Sequence, residues 1–117
     1  MHLTDEKYWE ERDLYSGLIR LHILHHAHGR GMFGLGLIDE LARQGYKLSA
    51  GTVYPLLHSM EKKGLLRSHE RLEGGRIRRV YIVTPRGRKA LMMAKDRVRT
   101  LFGALFQHLP KPTSRNA

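Results

Sequence analysis

The chain's residue pattern predicts a mainly α fold carrying a two-stranded β-hairpin, an α+β class, and three observations lead there. Apolar residues recur at helical spacing in four separate stretches, a Gly-Gly pair divides two strand-like runs, and a Thr-Pro pair after the second run opens a last helix. With 117 residues there is room for one hydrophobic core. The 41% hydrophobic and 27% charged content suits a folded domain. The absence of Cys excludes a disulfide framework, a thiolate zinc site and a cysteine nucleophile, and makes a reducing cytoplasm the expected setting. No stretch approaches the roughly 18 apolar residues of a membrane span, and the N-terminus lacks a leader pattern, so neither a membrane nor secretion is expected.

Taken in order, Thr4 is placed to cap a first helix, with Asp5 and Glu6 at its positive end. Leu14, Leu18, Ile19, Leu21, Ile23 and Leu24 continue it to about His28 as a long, largely buried helix. The run from His28 to Gly34 contains three glycines and breaks the pattern; Leu37, Ile38 and Leu41 then form a short second helix that stops at Gly45. After the connector Tyr46-Lys47-Leu48, Ser49 caps a third helix with an apolar stripe of Val53, Leu56, Leu57 and Met60, ended by Lys62, Lys63 and Gly64. Two strands follow, from Leu65 to Leu72 and from Ile77 to Val83, around the Gly74-Gly75 turn. Thr84 and Pro85 start the final helix, whose Leu91, Ala94, Val98, Leu101, Leu105 and Leu109 step by threes and fours. This order reads as a winged helix-turn-helix with a C-terminal dimerisation helix. The expected domain spans 1–109, with an N-terminal extension at 1–13, the dimerisation helix at 85–109 and a disordered tail at 110–117.

The charge is unevenly placed. Between Lys62 and Arg99 there are 13 Lys or Arg against Glu70, Glu73 and Asp96, which accounts for the whole net charge of +10. Such a block attracts a polyanion, with double-stranded DNA the first expectation and an anionic membrane surface the second.

A helical wheel at about 100° per residue turns Gly51, Pro55, His58 and Lys62 away from the apolar stripe of the third helix, flanked by Tyr54 and Ser59. Gly51 and Pro55 are poor helix residues, but their small or flat side chains permit close approach to a large partner. Ser49, Thr52 and the amides at the helix start suit phosphate, and His58 or Lys62 can reach base edges. On the hairpin, Arg76, Arg78 and Arg79 face Arg71 across the turn, and Arg suits both phosphate and a narrow minor groove. Alternation sends Tyr81 and Val83 inward and Arg78 outward. The expected DNA contacts are therefore Lys47, Ser49, Gly51, Thr52, Tyr54, Pro55, His58, Lys62, Arg76, Arg78 and Arg79. The expected dimer interface is Trp9, Leu91, Ala94, Val98, Leu101, Phe102, Leu105 and Leu109, because one domain cannot easily cover that stripe.

Other readings remain open. His22, His25, His26 and His28 include an i, i+4 pair able to grip a divalent metal, although histidines on an apolar helix more often pack and bond to backbone. No metal or other cofactor is expected, and no nucleophile, base and orienting residue stand in a recognisable order, so no enzyme is expected. A phosphate-binding loop is disfavoured because GxGxxG is absent. The rival functions are a winged-helix adaptor between proteins and a metal-responsive sensor using the His22 to His28 run.

The residues Leu18-Ile19-Arg20-Leu21-His22-Ile23-Leu24, Gly34, Ser49-Ala50-Gly51-Thr52-Val53-Tyr54-Pro55-Leu56-Leu57, Met60-Glu61, Gly64-Leu65, Gly74-Gly75-Arg76, Arg79-Val80-Tyr81 and Thr84-Pro85-Arg86-Gly87-Arg88-Lys89-Ala90-Leu91 together form a pattern. In this the chain resembles the PadR family of winged-helix transcriptional regulators, in its smaller form with one C-terminal helix. The resemblance covers about Leu14 to Leu91. It implies homodimeric DNA binding, usually repression, and effectors that are often aromatic or drug-like. Leu35 departs from the Tyr the family often has there, and Trp9 lies in an extension outside the motif.

Overall fold

The computed structural model describes residues 5–107, with side chains from Leu14 onward. The elements run α1 (Asp5–His26), β1 (Met32–Phe33), α2 (Gly34–Arg43), α3 (Ala50–Lys62), β2 (Leu66–Glu73), β3 (Arg76–Val83) and α4 (Pro85–Phe106). Thr4, Leu109 and the expected tail at 110–117 lie outside the described residues, as does the side chain of Trp9.

One core joins the elements. Ile19, Ile23, Leu24 and Ala27 of α1 meet Leu37 and Leu41 of α2, Val53, Leu56, Leu57 and Met60 of α3, and Leu66, Tyr81, Val83 and Leu91 beyond them. Burying such a side chain is worth about 1.5–3 kcal/mol. An exposed ion pair such as Arg99 with Asp96 contributes about 0–1 kcal/mol, so apolar burial holds the fold together.

The first helix is less buried than its composition suggests. Leu14 is 73% exposed and Leu18 42%, because only the side of α1 that carries Ile19, Ile23 and Leu24 meets the core. Leu91 corrects the expectation in the other direction. It is 7% exposed and packs in the core of its own chain, in the part of α4 that touches α1.

The sheet has three strands rather than the two of a hairpin. β1 pairs antiparallel with β3 (Met32 opposite Tyr81, Phe33 opposite Val80), giving the order β1-β3-β2. Two residues are too few to show alternation, which is why the sequence pattern missed this strand. Its presence also explains why Val80 is buried beside Tyr81 and Val83, since the Gly31 to Phe33 segment lies against it. Between β2 and β3, Glu73 opposite Arg76 leaves Gly74 and Gly75 as a two-residue turn, both at positive φ (56° and 78°), the conformation a type I′ hairpin needs.

One corner fixes how the helices leave the sheet. The Thr84 hydroxyl donates to the Gly64 carbonyl at 2.6 Å and accepts from the Gly87 amide at 2.9 Å, while the Thr84 amide donates to the Leu65 carbonyl at 3.1 Å. Gly87 lies so close to this chain segment that a Cβ there would sit 2.1 Å from the Leu65 carbonyl oxygen. The end of α3 and the start of α4 are thus clamped together.

On α1, the His22 and His26 rings stack at 6.1 Å, His22 also meets Tyr46 at 5.4 Å, and His26 lies 3.6 Å from Glu40 of α2. Burial, then the neighbouring His26 and His25, lower the His22 pKa below its ordinary 6.5. The neutral ring is therefore the form the fold favours, and the unfolded chain binds more protons just below that pH. Stability from this group is present above pH 6.5 and is lost as pH falls from 6.5 through the lower folded value. Melting temperature followed against pH should drop over that interval in the native chain and drop less in His22→Gln. Gly87→Ala should cost about 1–3 kcal/mol in chemical denaturation, as overpacking does; a neutral result would mean the corner yields.

Candidate nucleic-acid interface

α3 starts at Ser49, whose extended backbone (φ −79°, ψ 164°) makes it the N-cap, and its hydroxyl donates to that of Thr52 at 3.4 Å. The apolar stripe is buried, so Gly51, Pro55, His58 and Lys62 are exposed together on the opposite face, with Lys47 and Ser49 exposed at its leading end. Pro55 lies inside the helix and supplies no N–H to the Gly51 carbonyl one turn back. The only acid in α3 is Glu61.

Two expected contacts sit differently. Thr52 is 9% exposed, with its side chain turned into the protein, because it lies one helical turn before the buried Leu56, on the same side of α3. Tyr54 is half-buried against the start of α2, where a Cβ on Gly34 would lie 2.5 Å from its hydroxyl oxygen. Gly34 is therefore the seat of the Tyr54 ring.

The wing adjoins this helix. Phe33, Gly34 and Leu35, Tyr54 of α3, and Arg76, Ile77, Arg78 and Arg79 of β3 border one niche of ≈ 210 Å³. Tyr54 is the point at which α3 and the arginine-bearing strand border the same niche.

The arginines differ in their engagements. Arg79 donates to the Ser68 hydroxyl at 3.0 Å and to Glu70 at 3.3 Å. Ser68 in turn donates its hydroxyl (2.7 Å) and its amide (3.1 Å) to the Glu61 carboxylate at the end of α3. This chain ties the wing to the end of α3, with Arg79 at its exposed end, its side chain 47% exposed. Arg78 instead lies over the Phe33 ring, 4.9 Å from its centroid, with Arg71 over the same ring at 5.2 Å. Arg76 is exposed beside the turn. Sequence reasoning missed Glu61 and Ser68; the available signal was a single carboxylate on an otherwise acid-free helix that opens the basic segment.

On α4, Val98, Leu101, Phe102 and Leu105 are exposed, Ala94 is half-buried, and Phe106 joins the apolar face, its ring 4.6 Å from that of Phe102. Among the described residues no three His, Cys, Asp or Glu side chains converge to hold a metal ion. Nor is any described helix long and apolar enough to cross a membrane.

A helix-turn-helix followed by an arginine-bearing hairpin defines a winged-helix DNA-binding protein. Residues 23–93 match the transcriptional regulator PadR-like family, and the chain belongs to that family. It is a transcriptional regulator, not an enzyme. It is 51% identical over 80 residues to the transcriptional regulator Rv3488 of Mycobacterium tuberculosis, covering 68% of this chain and 75% of that one. A PadR-like regulator from Bacillus cereus superimposes with a TM-score of 0.76 at 24% identity, over 86% of this chain and 99% of the other. A PadR family regulator from Eggerthella lenta does so at 0.67 and 26%, over 92% and 96%.

A Cβ added to Gly51 would meet only the Ser49 hydroxyl oxygen at 3.6 Å, an ordinary contact. Gly51→Ala should therefore stabilise the fold by about 0.5–1 kcal/mol while weakening duplex binding, since it thickens the exposed helix face. Thermal melts and fluorescence anisotropy on one preparation separate the two effects. Ser68→Ala should lose about 1–3 kcal/mol of stability by leaving the Glu61 carboxylate short of its donors.

Proposed function

We propose that the protein is a homodimeric, sequence-specific repressor that binds a near-palindromic operator and is released by a small-molecule effector of aromatic or drug-like character. The observation that carries the DNA-binding part is the exposed face of Gly51, Pro55, His58 and Lys62 on a helix whose only acid is Glu61, with Tyr54 of the same helix bordering a niche shared with Arg76 and Arg78 of the hairpin. Lys47, Ser49 and the amides at the start of α3 meet phosphate there, and His58 and Lys62 lie where base edges pass. Thr52 contributes through its backbone rather than its side chain.

The dimer reading rests on the uncovered stripe of α4 and on an apolar groove of ≈ 490 Å³ between α1 and α4, lined by Leu18, Leu21, His22, Val98 and Phe102 among others. Exposed apolar area of this kind marks an interface. In the proposed assembly, residues 1–109 form the domain, 85–109 the dimerisation helix, and the partner's α4 enters the groove. The two recognition helices then fall in successive major grooves, about 34–36 Å apart. The effector would enter at this seam, and repression follows the habit of the family. The expected compartment is the cytoplasm.

With about 6–10 phosphates neutralised per dimer, log affinity should fall with log salt at a slope near −0.9 per phosphate. Arg78→Ala should weaken binding to every duplex and flatten that slope; an unchanged slope removes the wing from the interface. Leu101→Asp should give monomers with weak duplex binding in sedimentation and anisotropy, whereas a surviving dimer would put the interface elsewhere.

A further inference from the structure

The β2 and β3 register sets eight residue pairs opposite one another. Glu70 faces Arg79 and Glu73 faces Arg76, so acid meets base in two of them. Arg71 faces Arg78, and like charges directly opposite destabilise a sheet. The strain is met from outside the hairpin. Phe33, delivered by β1 through its pairing with Val80, sets its ring beneath both guanidiniums, 5.2 Å from Arg71 and 4.9 Å from Arg78. The negative face of an aromatic ring attracts each cation and tolerates both. Arg71 has one acidic neighbour, Glu73 at 3.6 Å, with both side chains about half exposed, and so weakly held.

We propose that Phe33 is a positioning residue for DNA binding, its ring holding Arg71 and Arg78 side by side as a two-armed clamp for a backbone phosphate at the seam between recognition helix and wing. The inference rests on the DNA-binding reading above and adds Phe33 and Arg71 to it. The Phe33 ring and Arg78 both border the niche that also contains Tyr54 and Gly34, so the clamp opens beside the recognition helix. A phosphate supplies the negative charge that the Arg71 and Arg78 pair lacks, and Arg is shaped to grip it through two parallel N–H groups. The ring never touches the duplex in this arrangement. It removes the need for the two arginines to be ordered, against their repulsion, at the moment of binding.

The test uses the full chain and a fluorescein-labelled duplex of mixed sequence, because phosphate contacts do not depend on the operator. Phe33→Leu keeps the apolar bulk and every charge. It should weaken binding about two- to fivefold and reduce the slope of log affinity against log salt, although no cation has been removed. Phe33→Tyr, which keeps a ring face, should restore both. Arg78→Gln should cost less in the Phe33→Leu background than in the native chain, the coupling that a shared clamp requires. Additive losses, or an unchanged slope in Phe33→Leu, overturn the proposal. Should Phe33→Leu not fold, the Arg71→Gln and Arg78→Gln variants decide: a double variant no weaker than the worse single supports the clamp, and simple additivity refutes it. A native chain that ignores the duplex refutes the DNA-binding reading itself, and this inference with it.

Discussion

The hydrogen bonds that Thr84 makes to the Gly64 and Leu65 segment, and the near-contact of Gly87 with the Leu65 carbonyl, are the constraint on which the rest of the structure depends. Here α3 has just ended, β2 begins, β3 ends and α4 starts. The Thr84 hydroxyl serves as donor and acceptor at once, so one side chain closes α3 and caps α4. The helix with the acid-poor exposed face, α3, ends at this corner, and the helix with the exposed apolar stripe, α4, starts from it. Their relative orientation is therefore set within a few residues rather than across a flexible linker.

Much of this was legible from residue types and spacing. The apolar stripe and outward face of α3, the Gly-Gly turn and the Thr-Pro start of α4 all follow from local rules that need no tertiary information: helical period, positive φ and capping. What was not legible involves contacts between segments. β1 is two residues long and acquires meaning only when β3 lies beside it. Thr52 is expected at the interface for its hydroxyl near the helix start, but that side chain lies one turn before Leu56 on the buried side of α3. For the arginines, composition gave a charge, while register decided that Arg79 would be held by Ser68 and Glu70 and Arg78 would lie over an aromatic ring. The burial of Leu91 depends on where α4 leaves α1, which spacing does not report.

The energetics divide along the same line. The core is built from well-packed aliphatic side chains, each worth more than a surface ion pair. The face proposed for DNA instead collects locally unfavourable choices: Gly51 and Pro55 within a helix, and Arg71 opposite Arg78 within a sheet. Such departures from local consistency cluster where a partner is expected, and the core offsets them.

The sheet order has one more result. Its outer margins are β1, with two residues, and β2, whose sequence from Leu66 to Glu73 is dense in Arg, His and Glu. An unpaired strand margin is a template for accidental cross-β growth, and shortness or charge are the usual defences. The same ionic side chains that suit the wing to a polyanion therefore also guard its open margin against strand addition from neighbouring molecules.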